Sequence, residues 1–175
     1  PVYTISIIPT GMGAAGYTMP LPDNDEMFNT KNKMLEDITT LLGGRVAEEI
    51  IFGDITTGAS NDIKRATETA RSMVMKYGMS EKIGLIAYGN DDDEVFIGRD
   101  LAHTRGYSEE VAREIDGEIS RIIRECHENA ESIIRENIGV LHSCAALLLE
   151  KEKIHREEFE ALFTTEKEEV AKTNE

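Results

Sequence analysis

Three groups of residues in this sequence have types and spacings that could do chemistry. The first is the turn Thr56-Thr57-Gly58-Ala59-Ser60-Asn61-Asp62, rich in hydroxyls and amides and leading into a helical pattern. Asp62 falls in the first turn of that helix, where the positive end of the dipole favours a carboxylate by about 0.3–1 kcal/mol. That alone accounts for an acid at this position, but a carboxylate fixed there could also complete a metal site. Glu48 and Glu49 sit on the preceding helical pattern beside Val46, Ala47 and Ile50. One of them could face inward, although a solvated acidic face is the ordinary arrangement.

The second group is Gly11-Met12-Gly13-Ala14-Ala15-Gly16, a literal G-x-G-x-x-G that follows a strand-like run. A dinucleotide fingerprint needs a helix opening at its last glycines so that the helix N-terminus faces the pyrophosphate. Here Tyr17-Thr18-Met19-Pro20-Leu21-Pro22 follows, so the glycines are read as a flexible turn that delivers an exposed strand. The third group is His127-Glu128-Asn129-Ala130-Glu131, which gives H-E-x-x-E and not the zinc-binding H-E-x-x-H. A helical pair at that spacing is an ordinary side-chain interaction. His103, His142 and His155 are isolated, with no second ligand candidate in register.

The elements that must position these residues follow from periodicity. Residues 2–8 are β-branched and aromatic, with Tyr3, Ile5 and Ile7 alternating on one side, and predict a strand that ends at Pro9. A second short strand is expected around residues 16–21. Pro20 and Pro22 would forfeit ladder hydrogen bonds in a central strand, so this strand belongs at an edge. From Thr30 to Ile51, Met34, Leu35, Ile38, Leu41, Leu42, Val46, Ile50 and Ile51 recur at helical spacing, interrupted by Gly43-Gly44. Two helical glycines cost about 1 kcal/mol each against alanine, a penalty usually offset where another backbone comes close. A helix over 61–77 follows, stopped by Gly78. Residues 89–107 read as a surface loop with a short strand at 95–97. Ser108 then caps a long helix with Val111, Ile115, Ile119, Ile122, Cys126, Ala130 and Ile133 on one face. A partner helix at about 140–150 and a last short helix with Phe159, Leu162 and Phe163 complete the chain.

Composition narrows the function classes. The 175 residues suffice for one domain with a real core. With 34 acidic against 19 basic residues the net charge is −15, which opposes binding to nucleic acid. Cys126 and Cys144 lie in helical patterns without C-x-x-C spacing and read as small core residues. No apolar run approaches the ~20 residues needed to span a bilayer.

Several runs occur together and in order: Ile7-Ile8-Pro9, residues 13–22, Gly43-Gly44-Arg45-Val46-Ala47-Glu48-Glu49, Gly53, residues 57–62, Tyr77-Gly78-Met79-Ser80, Gly84, Phe96-Ile97-Gly98-Arg99 and Tyr107-Ser108-Glu109-Glu110. This ordered set resembles the peptidase domain of the FtsH family, from Pro1 to about Phe163. The resemblance implies a mainly α fold with a small β-sheet near the N-terminus (α+β), zincin-like, with a C-terminal helical hairpin or bundle. Residues 1–163 would be a zinc metallopeptidase domain, with an active-site half at 1–88, a helical subregion at 108–163 and a frayed tail at 164–175. It further implies Zn2+ bound by two histidines of an H-E-x-x-H helix and by an aspartate matching Asp62. Glu48 would stand behind the metal ligands and orient a histidine. Ala15, Gly16, Tyr17 and Thr18 would form the edge strand against which substrate lies extended. The parent would be a membrane-anchored homo-hexamer, with this domain on the cytoplasmic side in bacteria or the organelle equivalent. In it an AAA+ module using ATP and Mg2+ feeds unfolded membrane and soluble proteins to the peptidase.

This sequence contains neither H-E-x-x-H nor G-x-x-x-x-G-K-[ST]. The family's H-E-x-x-H helix lies just before the position matching Pro1. The chain by itself is therefore expected to be soluble and inactive, with one of three zinc ligands. A non-catalytic, ring-forming assembly module is the competing reading.

Overall fold

The computed structural model describes residues 2–9, 16–20, 28–88 and 106–173. Ala15, the glycines at 11 and 13, the strand expected at 95–97 and His103 lie outside the described residues. The chain forms two compact units, one continuous over Phe28–Ile133 and one built from Pro1–Met27 with Ile134–Glu175. This division cuts across the halves expected at 1–88 and 108–163, because the first strand pairs with a segment near the other end of the sequence.

The continuous unit rests on helices α1 (Lys31–Phe52) and α2 (Ser60–Met75) and most of α3 (Glu109–Glu136). Thr30 caps α1 by accepting from the Lys33 amide at 3.2 Å, and Ser108 caps α3 by accepting from the Val111 amide at 3.3 Å. Met34, Ile38 and Leu42 on α1 meet Ala66, Ala70, Met73 and Val74 on α2 and Ile115, Ile119, Ile122 and Cys126 on α3 in one buried cluster. These are positions three and four apart along each helix, so each stripe faces the core as its period predicts. Gly78 ends the α2 segment in the left-handed conformation (φ 60°), with the Met79 amide donating back to Met73 O at 2.9 Å.

Gly43 and Gly44 are a correction. A Cβ built at either meets no atom within 4 Å, so no described backbone makes the close approach that the pair suggested. Gly53, at the end of α1, is in the left-handed region (φ 62°) and returns its amide to Glu49 O.

Glu118 is the one buried carboxylate among the described residues of this unit. It accepts from Ser80 Oγ at 2.6 Å and from Arg121 Nε and Nη2 at 3.0 Å each, and Ser80 Oγ in turn accepts from the Ile83 amide. These bonds tie the turn after α2 to the middle of α3. The Arg121 guanidinium, ahead of the opposing effect of burial, holds the Glu118 carboxyl below its ordinary range.

In the discontinuous unit β1 (Val2–Ser6) is the centre of a three-stranded antiparallel sheet, between β2 (Tyr17–Pro20) and β3 (Lys153–His155). Ile5 stands opposite Thr18 on one side and Ile154 on the other. The fully buried β1 side chains are Thr4 and Ser6, not the alternating Tyr3, Ile5 and Ile7. Their hydroxyls are satisfied: Thr4 Oγ1 bonds with His155 Nδ1 at 2.8 Å, and Ser6 Oγ accepts from the Ile8 amide at 3.2 Å. Ile5 packs against the buried cluster of Cys144, Leu148 and Ile154, as do Phe159 and Leu162. Helix α4 (Ile138–Lys151) takes α5 (Arg156–Thr173) and β3 as its neighbours in this unit. Helix α5 continues to Thr173, past the frayed tail expected from residue 164. Glu166, Lys167, Glu168, Glu169, Ala171 and Lys172 there are good helix formers whose intrinsic propensity needs no apolar face.

Gly16 immediately precedes β2, and a Cβ there would stand 2.3 Å from Ser6 O. Gly16→Ala is therefore expected to destabilise the chain by about 1–3 kcal/mol, read as a lower urea midpoint; an unchanged midpoint would show that the strands tolerate the displacement. For Glu118 the folded carboxyl titrates below its unfolded value, so its contribution is present above the unfolded value and is lost as pH falls through the folded one. Glu118→Ala should cost about 1.5–3 kcal/mol at neutral pH, and denaturation curves taken from neutral to acid pH should converge with wild type at the acid end. A constant gap at every pH would contradict this assignment.

Candidate functional site

Asp62 lies in the first turn of α2, as its spacing predicts. Its side chain is 46% exposed, and Arg65 Nη1 stands 3.9 Å from Oδ1, too far for a hydrogen bond. The carboxylate is thus accessible and only loosely held. What fixes its position is the turn before it.

That turn is held by two side chains from the last turns of α1. Glu48 Oε1 accepts from Thr56 Oγ1 at 2.6 Å, and Glu48 Oε2 accepts from the Thr56 amide at 3.2 Å. Arg45 Nη2 donates to Thr56 O at 2.7 Å. Thr56 Oγ1 also accepts from the Gly58 amide at 3.1 Å, Thr57 O from the Ser60 amide at 3.1 Å, and Ala59 O from the Ile63 amide at 3.0 Å. A continuous run of hydrogen bonds therefore leads from α1 to the turn that carries Asp62. The Glu48 carboxyl is held below its ordinary range first by the Thr56 hydroxyl, then by the Thr56 amide, with the Arg45 charge a smaller contribution. Arg45 Nη1 is buried without a hydrogen bond, 3.7 Å from Glu48 Oε2, so it contributes charge without a directed contact.

Sequence reasoning singled out Glu48, Asp62 and the hydroxyl-rich turn, but assigned no task to Arg45 or to the Thr56 hydroxyl. Their signal is a glutamate and a threonine eight positions apart across a glycine-ended helix, which no periodicity reports. Glu49 is a second surprise: its Oε2 lies 2.9 Å from His127 Nε2 on α3. The histidine of the H-E-x-x-E run therefore has a partner on another helix, a structural role as expected. His142 is exposed, and His155 is engaged by Thr4.

Among the described residues no three His, Cys, Asp or Glu come together in a way that could hold a metal ion. Catalytic zinc requires three protein ligands and an open position. Asp62 fits as one accessible carboxylate donor, and the described residues do not supply the other two.

In the other unit, Gly16, Tyr17 and Thr18 fall at the sheet edge. Among the described residues the strand order leaves β2 bonded to β1 on one side only. Tyr17 to Pro20 is a strand and not a helix, so the glycine run does not open the helix that a dinucleotide site requires. An edge strand with one free side presents backbone donors and acceptors to an extended chain.

Comparison with known proteins agrees with the sequence motifs. The family model for peptidase family M41 matches residues 1–162. The chain is 55% identical over 166 residues to the ATP-dependent zinc metalloprotease FtsH 1 of Thermoanaerobacter sp. (strain X514), covering 95% of this chain and 27% of that protein. It is 56% identical over 162 residues to the ATP-dependent zinc metalloprotease FtsH of Caldicellulosiruptor bescii, covering 93% and 26%. The FtsH of Thermotoga maritima is 48% identical over 170 residues, covering 97% and 28%. The chain thus spans about a quarter of the length of these relatives. With the family match running from the first strand into α5 at high identity, the chain belongs to peptidase family M41.

Proposed function

We propose that this chain is the greater part of the peptidase domain of an ATP-dependent zinc endopeptidase that degrades unfolded or misassembled proteins. The observation that carries the reading is the accessible Asp62 carboxylate at the start of α2, on a turn tied down by Glu48 and Arg45, in a chain of peptidase family M41. Asp62 is one metal ligand. The other two donors and the catalytic base come from an H-E-x-x-H helix outside the 175 residues, so the chain alone is inactive. A zinc ion bound there supplies a polarised scissile carbonyl and an activated water.

The residues of this chain do three things. Asp62 offers one negative oxygen donor from a preset turn. The α1 clamp keeps that turn in place without using the Asp62 carboxylate itself. Strand β2, bonded on one side only among the described residues, accepts an unfolded chain by backbone hydrogen bonds, which reads extended conformation and not side-chain identity. The same reading includes a homo-hexameric, membrane-anchored parent with an ATP- and Mg2+-dependent AAA+ module, this domain facing the cytoplasm or the organelle equivalent. Among the described residues no single helix is long and apolar enough to cross a membrane.

In the full-length protein, Asp62→Ala should abolish stoichiometric zinc, measured by elemental analysis, and lower casein cleavage by about 100-fold or more, the size expected when a metal's ligand set is broken. Retention of both would remove Asp62 from the metal site. For the edge strand, peptides of unrelated sequence should be cleaved at comparable kcat/KM, whereas N-methylation of alternate backbone amides should lower kcat/KM by about tenfold per lost hydrogen bond to a positioned group. A strong side-chain preference with indifference to N-methylation would exclude backbone pairing at β2.

A further inference from the structure

We propose that the outer edge of β2 holds a polypeptide through one residue, Thr18, in a fixed two-residue register that excludes proline from alternate positions of the bound chain. The inference rests on the reading of β2 as the strand that receives substrate, and adds to it which backbone groups receive the chain and what sequence they reject. The parity of the sheet carries it. Thr4, Ile5 and Ser6 stand opposite His155, Ile154 and Lys153 on β3, and the next residue, Ile7, donates its amide to Glu152 O at 3.0 Å. In an antiparallel ladder alternate residues turn both backbone groups to the same side. Ile5 and Ile7 therefore serve β3, and Thr4 and Ser6 serve β2.

The partners of Thr4 and Ser6 are Met19 and Tyr17, so these two residues of β2 direct their amides and carbonyls to β1. Thr18, opposite Ile5, turns its own outward. Pro20 follows at the same parity and offers a carbonyl there but no amide hydrogen. A proline closes this strand without breaking the ladder because its nitrogen lies on the side away from β1. The register irregularity falls between Val2 and Thr4 on β1 and leaves the Thr18 pair untouched. Within β2 the outward edge thus carries one donor, from Thr18, and two acceptors, from Thr18 and Pro20.

An antiparallel chain laid on this edge exchanges both bonds with Thr18 through one residue, and the amide two residues before it donates to Pro20 O. The residue between them points its backbone groups away from β2. A proline at either bonding position lacks the hydrogen that the edge accepts, whereas a proline between them loses no bond. The substrate class is an extended polypeptide with free amides at alternate positions, selected by where proline is absent and not by side-chain type.

The test uses the full-length protein without nucleotide and an unstructured fluorescent peptide in which each amide in turn is replaced by an ester, or each residue in turn by proline. Binding is read by anisotropy with a chelator present, and cleavage by kcat/KM without it. Two esters placed two residues apart should each weaken binding by about 3- to 10-fold, the ester between them should have no effect, and the proline scan should show the same alternation. Thr18→Pro removes only the outward donor and should weaken binding of the parent peptide by a similar factor at an unchanged melting temperature. Met19→Pro removes an amide that serves β1 and should lower the melting temperature. Pro20→Ala adds an outward donor and should tighten binding by about 3- to 10-fold. Equal losses from adjacent esters, or a Thr18→Pro variant as destabilised as Met19→Pro, would overturn the register. Self-association in sedimentation that Thr18→Pro abolishes, with peptide affinity unchanged, would assign the edge to a second copy of the chain and overturn it too. Alternating binding without cleavage would keep the register and remove the peptidase reading, whereas cleavage without alternation would do the reverse.

Discussion

The two fully buried alanines of α2, Ala66 and Ala70, set the constraint on which the continuous unit depends. A side chain of one carbon at each lets α2 lie close against α1, and the larger Ile38, Met73 and Val74 then fill the remaining space. With α1 and α2 packed in this way, the connection between them has only the residues from Gly53 to Ala59 in which to reverse. Such a short reversal needs a left-handed residue at the end of the first helix, supplied by Gly53 at φ 62°, and a means of satisfying its own amides. The Glu48 and Arg45 side chains provide that means. The site's geometry is thus a consequence of helix packing, and the carboxylate of Asp62 is carried to its place by the fold.

The distribution of charge follows a consistent logic. An excess of acidic residues this large opposes compaction, and several carboxylates are drawn into local pairs. Glu118 is paired with Arg121 and Ser80, Glu48 with Thr56 and Arg45, and Glu158 with Lys151 while it also accepts the His155 amide at the start of α5. In each case the partner lies on or beside the element that the carboxylate must hold. The exposed pairs of this kind contribute little each. Glu118 is buried, and its removal leaves the Ser80 hydroxyl and two guanidinium N–H groups of Arg121 without the acceptor they use.

Much of this was legible in the sequence, and the limits of legibility are physical. The three-and-four spacing of Met34, Ile38 and Leu42 and of Ala66, Ala70 and Val74 located α1 and α2 because burial enforces that spacing. Ser108 and Gly78 marked boundaries because caps and left-handed turns restrict residue type. Strand β3 left no such mark: three residues, Lys153-Ile154-His155, bury a single side chain, and their pairing with β1 joins Thr4 to Ile154 across 150 positions. The extension of α5 to Thr173 follows from local propensity, which an argument from apolar faces does not weigh. Gly43-Gly44 misled because helical glycine states a cost and not its compensation. Asp62 was found because a helix start is a local signal, while Arg45, Thr56 and the Glu49–His127 pair are cross-element contacts that spacing cannot report.

The discontinuous unit takes its strands from both ends of the sequence, with β1 central and β3 contributed by residues 153–155. During synthesis the continuous unit has all of its residues once Ile133 is made and is free to fold by local contacts. The sheet must wait for β3 and for the helices α4 and α5 that cover Ile5. Pairing of such long sequence separation is slow, since loop closure precedes any gain from contact. A nascent or truncated chain therefore carries a folded helical body before it carries an ordered strand edge, and the sheet is assembled last.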